Sequence, residues 1–139
     1  MEKKPHKQLE TWQRSVDLVV AVYEATRRFP EEERFGLTAQ VQRAAISVPS
    51  NIAEGAARGS NRGFVNHLHI ARGSLSELDT QLIIAHRLGY ISEQVMRGLT
   101  DRMGEVDRLL NGLIASVRRE VVAVLTCLAV LLGTVGWLV

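Results

Sequence analysis

Phe64, Leu68, Ala71, Leu75, Leu78, Leu82 and Ala85 follow one another at steps of four and three residues, sustained over three heptads. An α-helix turns about 100° per residue, so this spacing draws all seven side chains into one seam. A β-strand would scatter them over both of its faces. Such a seam is covered by other helices packed lengthwise, which makes a helix bundle the expected architecture. Ser60 or Asn61 is the expected N-cap of this segment and Gly89 its C′ residue.

Three further segments carry the same period. From about Leu9 to Arg28, the residues Leu9, Trp12, Val16, Val19 and Tyr23 share a helical face. Phe29-Pro30 ends that segment, because a residue before proline is pushed out of the α region. The acidic run Glu31–Glu33 then makes a surface turn. From about Phe35 to Ala57, the stripe is Leu37, Val41, Ala44, Val48 and Ile52. Pro49 lies inside this stripe. It cannot donate to the Ala45 carbonyl, so a kink is expected there, with Ser47, Ser50 and Asn51 supplying hydrogen bonds to the freed backbone groups. Gly55 and Gly59 suit the helix end, where a positive φ is often needed. The last segment starts at Ser92 as N-cap, with Ile91 and Met96 as a hydrophobic staple. Met96, Leu99, Met103, Val106, Leu110, Leu113 and Val117 form its stripe.

The expected fold class is therefore all-α: an antiparallel up-down-up-down four-helix bundle with a kinked second helix and an apolar C-terminal helical extension. Residues 1–8 are expected as a flexible basic arm, 9–119 as the bundle and 120–139 as the tail. The 139 residues suit one domain, and three prolines with 5% aromatics speak against a β-sandwich. The single cysteine, Cys127, excludes an intrachain disulfide framework. The opening MEKKPHKQLE has charge without an apolar stretch and is not expected to act as a secretory signal.

Catalytic constellations are not found in the sequence. A di-iron bundle needs Glu-x-x-His pairs, and no histidine has a glutamate three residues before it. His67 and His69 are two apart and fall on different sides of a helix. Glu54 and Glu77 lack a positioned partner for general-base work, and Cys127 has no nearby cation to stabilise a thiolate. No phosphate-cradling glycine loop follows a strand. The expectation is a protein without enzymatic activity, cofactor or metal. The formal charge of +2 is weak evidence for a polyanionic partner, since a dedicated nucleic-acid domain usually shows a denser basic patch. A weaker candidate surface remains, with Arg58, Arg62 and Arg43 near the second turn and Lys3, Lys4 and Lys7 in the arm. These cations would contact phosphates without reading bases.

Several strings carry a resemblance: WQRSVDL over residues 12–18, Phe29-Pro30, GLTAQ over 36–40, RAAISVPSNIAEG over 43–55 and LGYIS over 88–92. Together they resemble the four-helix-bundle proteins of 23S rRNA intervening sequences, relatives of the accessory variability determinants of diversity-generating retroelements. The likeness covers about residues 8–118, and its most distinctive positions are Ser47, Pro49, Ser50, Asn51, Glu54 and Gly55. It implies a homo-oligomer, with a pentamer as the associated form, and no enzymatic activity. For the retroelement members it implies binding to a reverse transcriptase and to RNA or DNA. The bend at Pro49 would then let the second helix serve both its bundle and a neighbouring subunit; the alternative is a bend around its own core.

The tail departs from that family's pattern. From Val121 to Val139, nineteen residues carry no charge and eleven are Leu or Val. As a helix they reach about 28 Å, close to the hydrocarbon thickness of a bilayer. Val121, Leu125, Leu128 and Leu132 would face lipid, Trp137 suits an interfacial anchor, and Arg118-Arg119 would hold the bundle on the cytoplasmic side. A tail packed into an oligomer core, or a non-native extension, are the rivals. The expected role is a homo-oligomeric scaffold or adaptor, tail-anchored at the cytoplasmic membrane face. The alternative is a soluble nucleic-acid-binding accessory factor associated with an rRNA intervening sequence or a reverse transcriptase.

Overall fold

The computed structural model describes residues 4–135. Four helices carry the fold: α1 Glu10–Thr26, α2 Leu37–Ala57, α3 Asn61–Arg87 and α4 Glu93–Val135. Short 3₁₀ turns at Pro5–Gln8 and Glu31–Glu33 precede α1 and α2. No strand occurs among the described residues. Each helix packs on the next in sequence, and α4 also lies against α1, which closes the four-helix bundle. Cross-helix partners run in opposite directions. Ser47 meets Ser74 and Asn51 meets His67 between α2 and α3; His69 meets Arg118 and Arg72 meets Asn111 between α3 and α4.

The seam of α3 lies in the core as its spacing requires: Leu68, Ala71, Leu75, Leu78, Leu82 and Ala85 are buried, and Phe64 packs against them. Val41, Val48 and Ile52 of α2 and Val106 and Leu110 of α4 complete that core. Burying each such aliphatic side chain contributes about 1.5–3 kcal/mol, so these stripes dominate the cohesion of the bundle.

Helix α1 is rotated from the expected face. Its buried residues are Thr11, Ser15, Leu18, Val22 and Thr26, while Leu9, Trp12, Val16 and Val19 are half-buried and Tyr23 is exposed. The short hydroxyl residues can face inward because their O–H groups are satisfied locally. Ser15 Oγ donates to the Trp12 carbonyl at 2.7 Å, and Thr26 Oγ1 donates to Tyr23 O at 3.1 Å and accepts from Gln42 Nε2 at 3.0 Å.

The helix ends have clear chemical causes. Ser60 Oγ accepts from Gly63 N at 3.1 Å and Ser92 Oγ from Val95 N at 3.2 Å, as N-caps do. Gly89, at φ +79°, ends α3 in a Schellman motif: Tyr90 N bonds Ala85 O at 2.9 Å and Gly89 N bonds His86 O at 3.0 Å. At the start of α2 the cap comes from outside the helix, since Glu33 Oε2 accepts from Leu37 N at 2.9 Å. Residues 4–8, expected as part of a flexible arm, instead form a turn packed on α1 and α2, with His6 against the Trp12 ring at 5.1 Å.

Pro49 is buried, and α2 is helical on both sides of it. Beyond the proline, Ile52 and Gly55 are buried within their own chain, so both halves of α2 serve the same core.

Helix α4 does not stop with the bundle. Val117 is buried, Val121 is half-buried, and the other residues from Arg118 to Gly133 are exposed. Leu125, Leu128 and Leu132 are 60%, 50% and 71% accessible. Thr126 turns its hydroxyl back onto the Val122 carbonyl at 2.8 Å, which hides the polar group from its surroundings. Among the described residues no helix is long and apolar enough to cross a membrane. Their share of the charge-free run, 121–135, reaches about 22 Å, short of a bilayer core of about 30 Å. Trp137, the expected interfacial anchor, and Lys3 lie outside the described residues.

Candidate functional site

The distinctive SVPSNIAEG string builds a polar chain along the contact of α2 with α3. Ser47 Oγ lies 2.8 Å from Ser74 Oγ, and Ser74 also donates to the Ile70 carbonyl. Asn51 Nδ2 donates to both Ser47 O, at 2.8 Å, and Ser47 Oγ, at 3.1 Å. The Asn51 Oδ1 end meets His67 Nδ1 at 3.1 Å, which leaves His67 Nε2 3.7 Å from Glu54 Oε1. Arg58 closes the chain on the same Glu54 oxygen. The Arg58 bond, then the charge of His67, holds the Glu54 carboxyl below its ordinary 4.5.

These contacts correct two expectations. The Ser47 and Asn51 side chains reach across to α3 or back to Ser47, and not to the carbonyl that Pro49 leaves free, while Ser50 is exposed. Gly55 adopts ordinary helical backbone, and of the two glycines Gly59 alone has the positive φ, +71°. Gly55 is required for space. A Cβ there would stand 2.7 Å from His67 Cβ and 3.0 Å from Phe64 Cδ2. The missing side chain therefore lets α3 approach closely enough for the His67–Asn51 bond.

Three of the other family strings, at Phe29-Pro30, 36–40 and 88–92, meet at the opposite end of α2. The Phe29 and Tyr90 rings lie 5.6 Å apart, and Tyr90 Oη donates to Glu33 Oε1 at 3.2 Å. The Glu33 carboxylate thus ties the α3–α4 turn to the start of α2. Burial, then the bond to Glu33, raises the Tyr90 phenol above its usual 10. Sequence reasoning missed Glu33, Ser74 and His67 as parts of these junctions. Their partners are 16–57 residues away along the chain, where no short-range spacing points to them.

The two histidines of α3 separate as their spacing requires. His67 faces α2, while His69 Nε2 accepts from Arg118 Nη2 at 2.9 Å on α4. Burial, then the charges of Arg72 and Arg118, lowers the His69 pKa below 6.5. An imidazole nitrogen that accepts from arginine is unprotonated, which agrees with that direction.

Of the three arginines expected near the second turn, Arg43 lies apart from the other two. Arg43 and Arg58, the residue that follows α2, are fifteen residues apart, about 22 Å along the helix axis. The others gather at one end. Arg58 and Arg62 flank the α2–α3 turn; Lys7 lies beside Gln13, which donates to its carbonyl at 2.9 Å, with Lys4 one turn before it. The antiparallel partners His69 and Arg118 set Arg118-Arg119 beside the third turn of α3, with Arg62 about 10 Å further toward the same end of the bundle. Arg58 is paired with Glu54, whereas Arg62 and Arg119 have no ion-pair partner among the described residues.

Comparison with known proteins agrees with this architecture. A crystal structure of a protein of unknown function from the S23 ribosomal protein family of Bacteroides thetaiotaomicron is similar, with TM-score 0.69 and 24% identity over 75% of this chain and 97% of that one. Among curated proteins none matches. The profile of the 23S rRNA-intervening sequence proteins matches residues 7–112, the span from the packed N-terminal turn to the last full turns of the bundle. The chain belongs to the 23S rRNA-intervening sequence protein family.

Proposed function

We propose that this protein is a non-enzymatic, homo-oligomeric scaffold, held at the cytoplasmic face of a membrane by its C-terminal tail. The observation that carries the anchoring is the continuation of α4 beyond its own bundle with Val122, Val124, Leu125, Leu128 and Leu132 exposed. Apolar side chains spread around a whole helix circumference need a covering that a four-helix core does not offer. The charge-free run counts nineteen residues in the sequence, and nineteen residues wound as a helix would reach about 28 Å. Self-association is supported by Ile70 and Ile84 on the outward strip of α3 and by Leu88 just beyond its end, all of which remain exposed.

Deleting residues 121–139 and fractionating cells tests the anchor. The full chain is expected in the membrane fraction and the truncated chain in the soluble one; a full chain found wholly in the soluble fraction refutes the anchor. Light scattering of detergent-solubilised protein tests the assembly, and a monomer refutes it. The second reading, a nucleic-acid-binding accessory factor, draws support from the family's description and from the gathering of Lys4, Lys7, Arg58 and Arg62 at one end. An RNA mobility shift at low salt that disappears at high salt would favour it.

A further inference from the structure

We propose that the cations around the root of the tail form a collar that binds the phosphates of an anionic phospholipid surface. This rests on the membrane-anchored reading and adds lipid selectivity to it. Six described cations, Lys4, Lys7, Arg58, Arg62, Arg118 and Arg119, lie in the last turns of the end from which α4 emerges. The carboxylates there are Glu54, on Arg58; Glu10, on Arg14; and Glu120. The whole chain carries only +2, so this end holds a local excess that the remaining surface offsets.

Position gives the excess its meaning. Val121 begins the charge-free run two residues after Arg119, so Arg118 and Arg119 stand about one helical turn from the apolar boundary. His69 joins them without adding charge, because it accepts from Arg118 as neutral imidazole and holds that guanidinium against α3. The α2–α3 turn, with Arg58 and Arg62, stands about 10 Å further along the direction of the tail, beside its first turns, because Arg62 precedes His69 by seven residues of α3. A tail inserted in a bilayer would bring Arg58 and Arg62 into the headgroup layer, with Arg118 and Arg119 about 10 Å behind them, about a Debye length from the anionic surface. A nucleic acid would meet the same cations around an apolar rod, a poor fit for a polyanion. Lipid phosphate is therefore the partner that suits both features at once.

The test is flotation of the full-length protein with vesicles of phosphatidylcholine alone and with phosphatidylglycerol added, at low and high salt, beside an R62Q/R119Q variant. Both substituted arginines are exposed and lack ion-pair partners among the described residues, so the bundle keeps its contacts; circular dichroism checks this. The wild-type chain is expected to bind both vesicles and to bind the anionic ones far more tightly at low salt. Each removed cation lowers that gain about fivefold, so the variant loses roughly twenty-five-fold on anionic vesicles and nothing on neutral ones. Equal wild-type binding to the two vesicles overturns the collar and leaves the anchor standing. Absence of binding to either overturns the anchor and the collar with it. RNA binding that R62Q/R119Q abolishes, with no gain from phosphatidylglycerol, overturns the collar in favour of nucleic acid.

Discussion

At Gly55 an added methyl would press on His67 Cβ and Phe64 Cδ2 across the α2–α3 contact. Alanine's helix preference, worth about 1 kcal/mol, is then outweighed by an overpacking cost of about 1–3 kcal/mol. Gly55→Ala is expected to destabilise by about 1 kcal/mol, with the His67–Asn51 bond disturbed. Gly73, exposed in the middle of α3, has no atom within 4 Å of such a methyl, so Gly73→Ala is expected to stabilise by about 0.5–1 kcal/mol. Urea denaturation of the two variants reads the opposite signs, and a stabilising Gly55→Ala would show that the helices part freely there. His69 makes a different prediction. Its folded pKa lies below 6.5, so the unfolded chain takes up the proton first as pH falls. Stability from the neutral His69–Arg118 bond is therefore complete above pH 6.5 and declines below it. Comparing denaturation of wild type and His69→Gln at about pH 7.5 and about pH 5 isolates this contribution. A wild type no more acid-sensitive than the variant would contradict it.

Between helices, the Glu33 carboxylate does two jobs, capping Leu37 N–H and accepting from Tyr90 Oη. Glu33→Ala leaves both donors without that acceptor and is expected to cost about 1–2 kcal/mol, measurable as a lower thermal midpoint. Tyr90→Phe removes only one of the two bonds and is expected to cost less. How much of these elements was legible beforehand depends on the chemistry of each stripe. In α3 every inward position but one is plainly aliphatic or aromatic, so periodicity alone located the face; Ser74 is the exception. In α1 the inward line runs through Thr11, Ser15 and Thr26, which hydropathy counts as outward, so the inferred face was turned by about one residue, some 100°. Such hydroxyls become core-compatible only through bonds to their own helix, which a hydropathy pattern does not register. Likewise SVPSNIAEG stood out as a string, but its partners Ser74 and His67 belong to another helix. The resemblance located the motif, and only the folded chain displays the network it makes.

For the molecule as a whole, the tail is energetically separable from the bundle. From Val122 to Gly133 every residue is exposed, so a chain ending at Arg119 is expected to unfold within about 0.5 kcal/mol of the full-length protein. Denaturant curves of both chains in the same detergent measure the difference. A large loss on truncation would mean that the extension is covered by further packing, as in an oligomer core. Helix α4 also has no hinge between bundle and extension: it is one element from Glu93 to Val135. Its two portions therefore behave as a single lever. One residue inserted after Arg119 would swing everything beyond it by about 100° and lift it about 1.5 Å, whereas seven would nearly restore the heading about 10 Å further out. A greasy rod without a preferred side tolerates the swing. A ring of such subunits would feel the change in height at once, because all its stems would lengthen together.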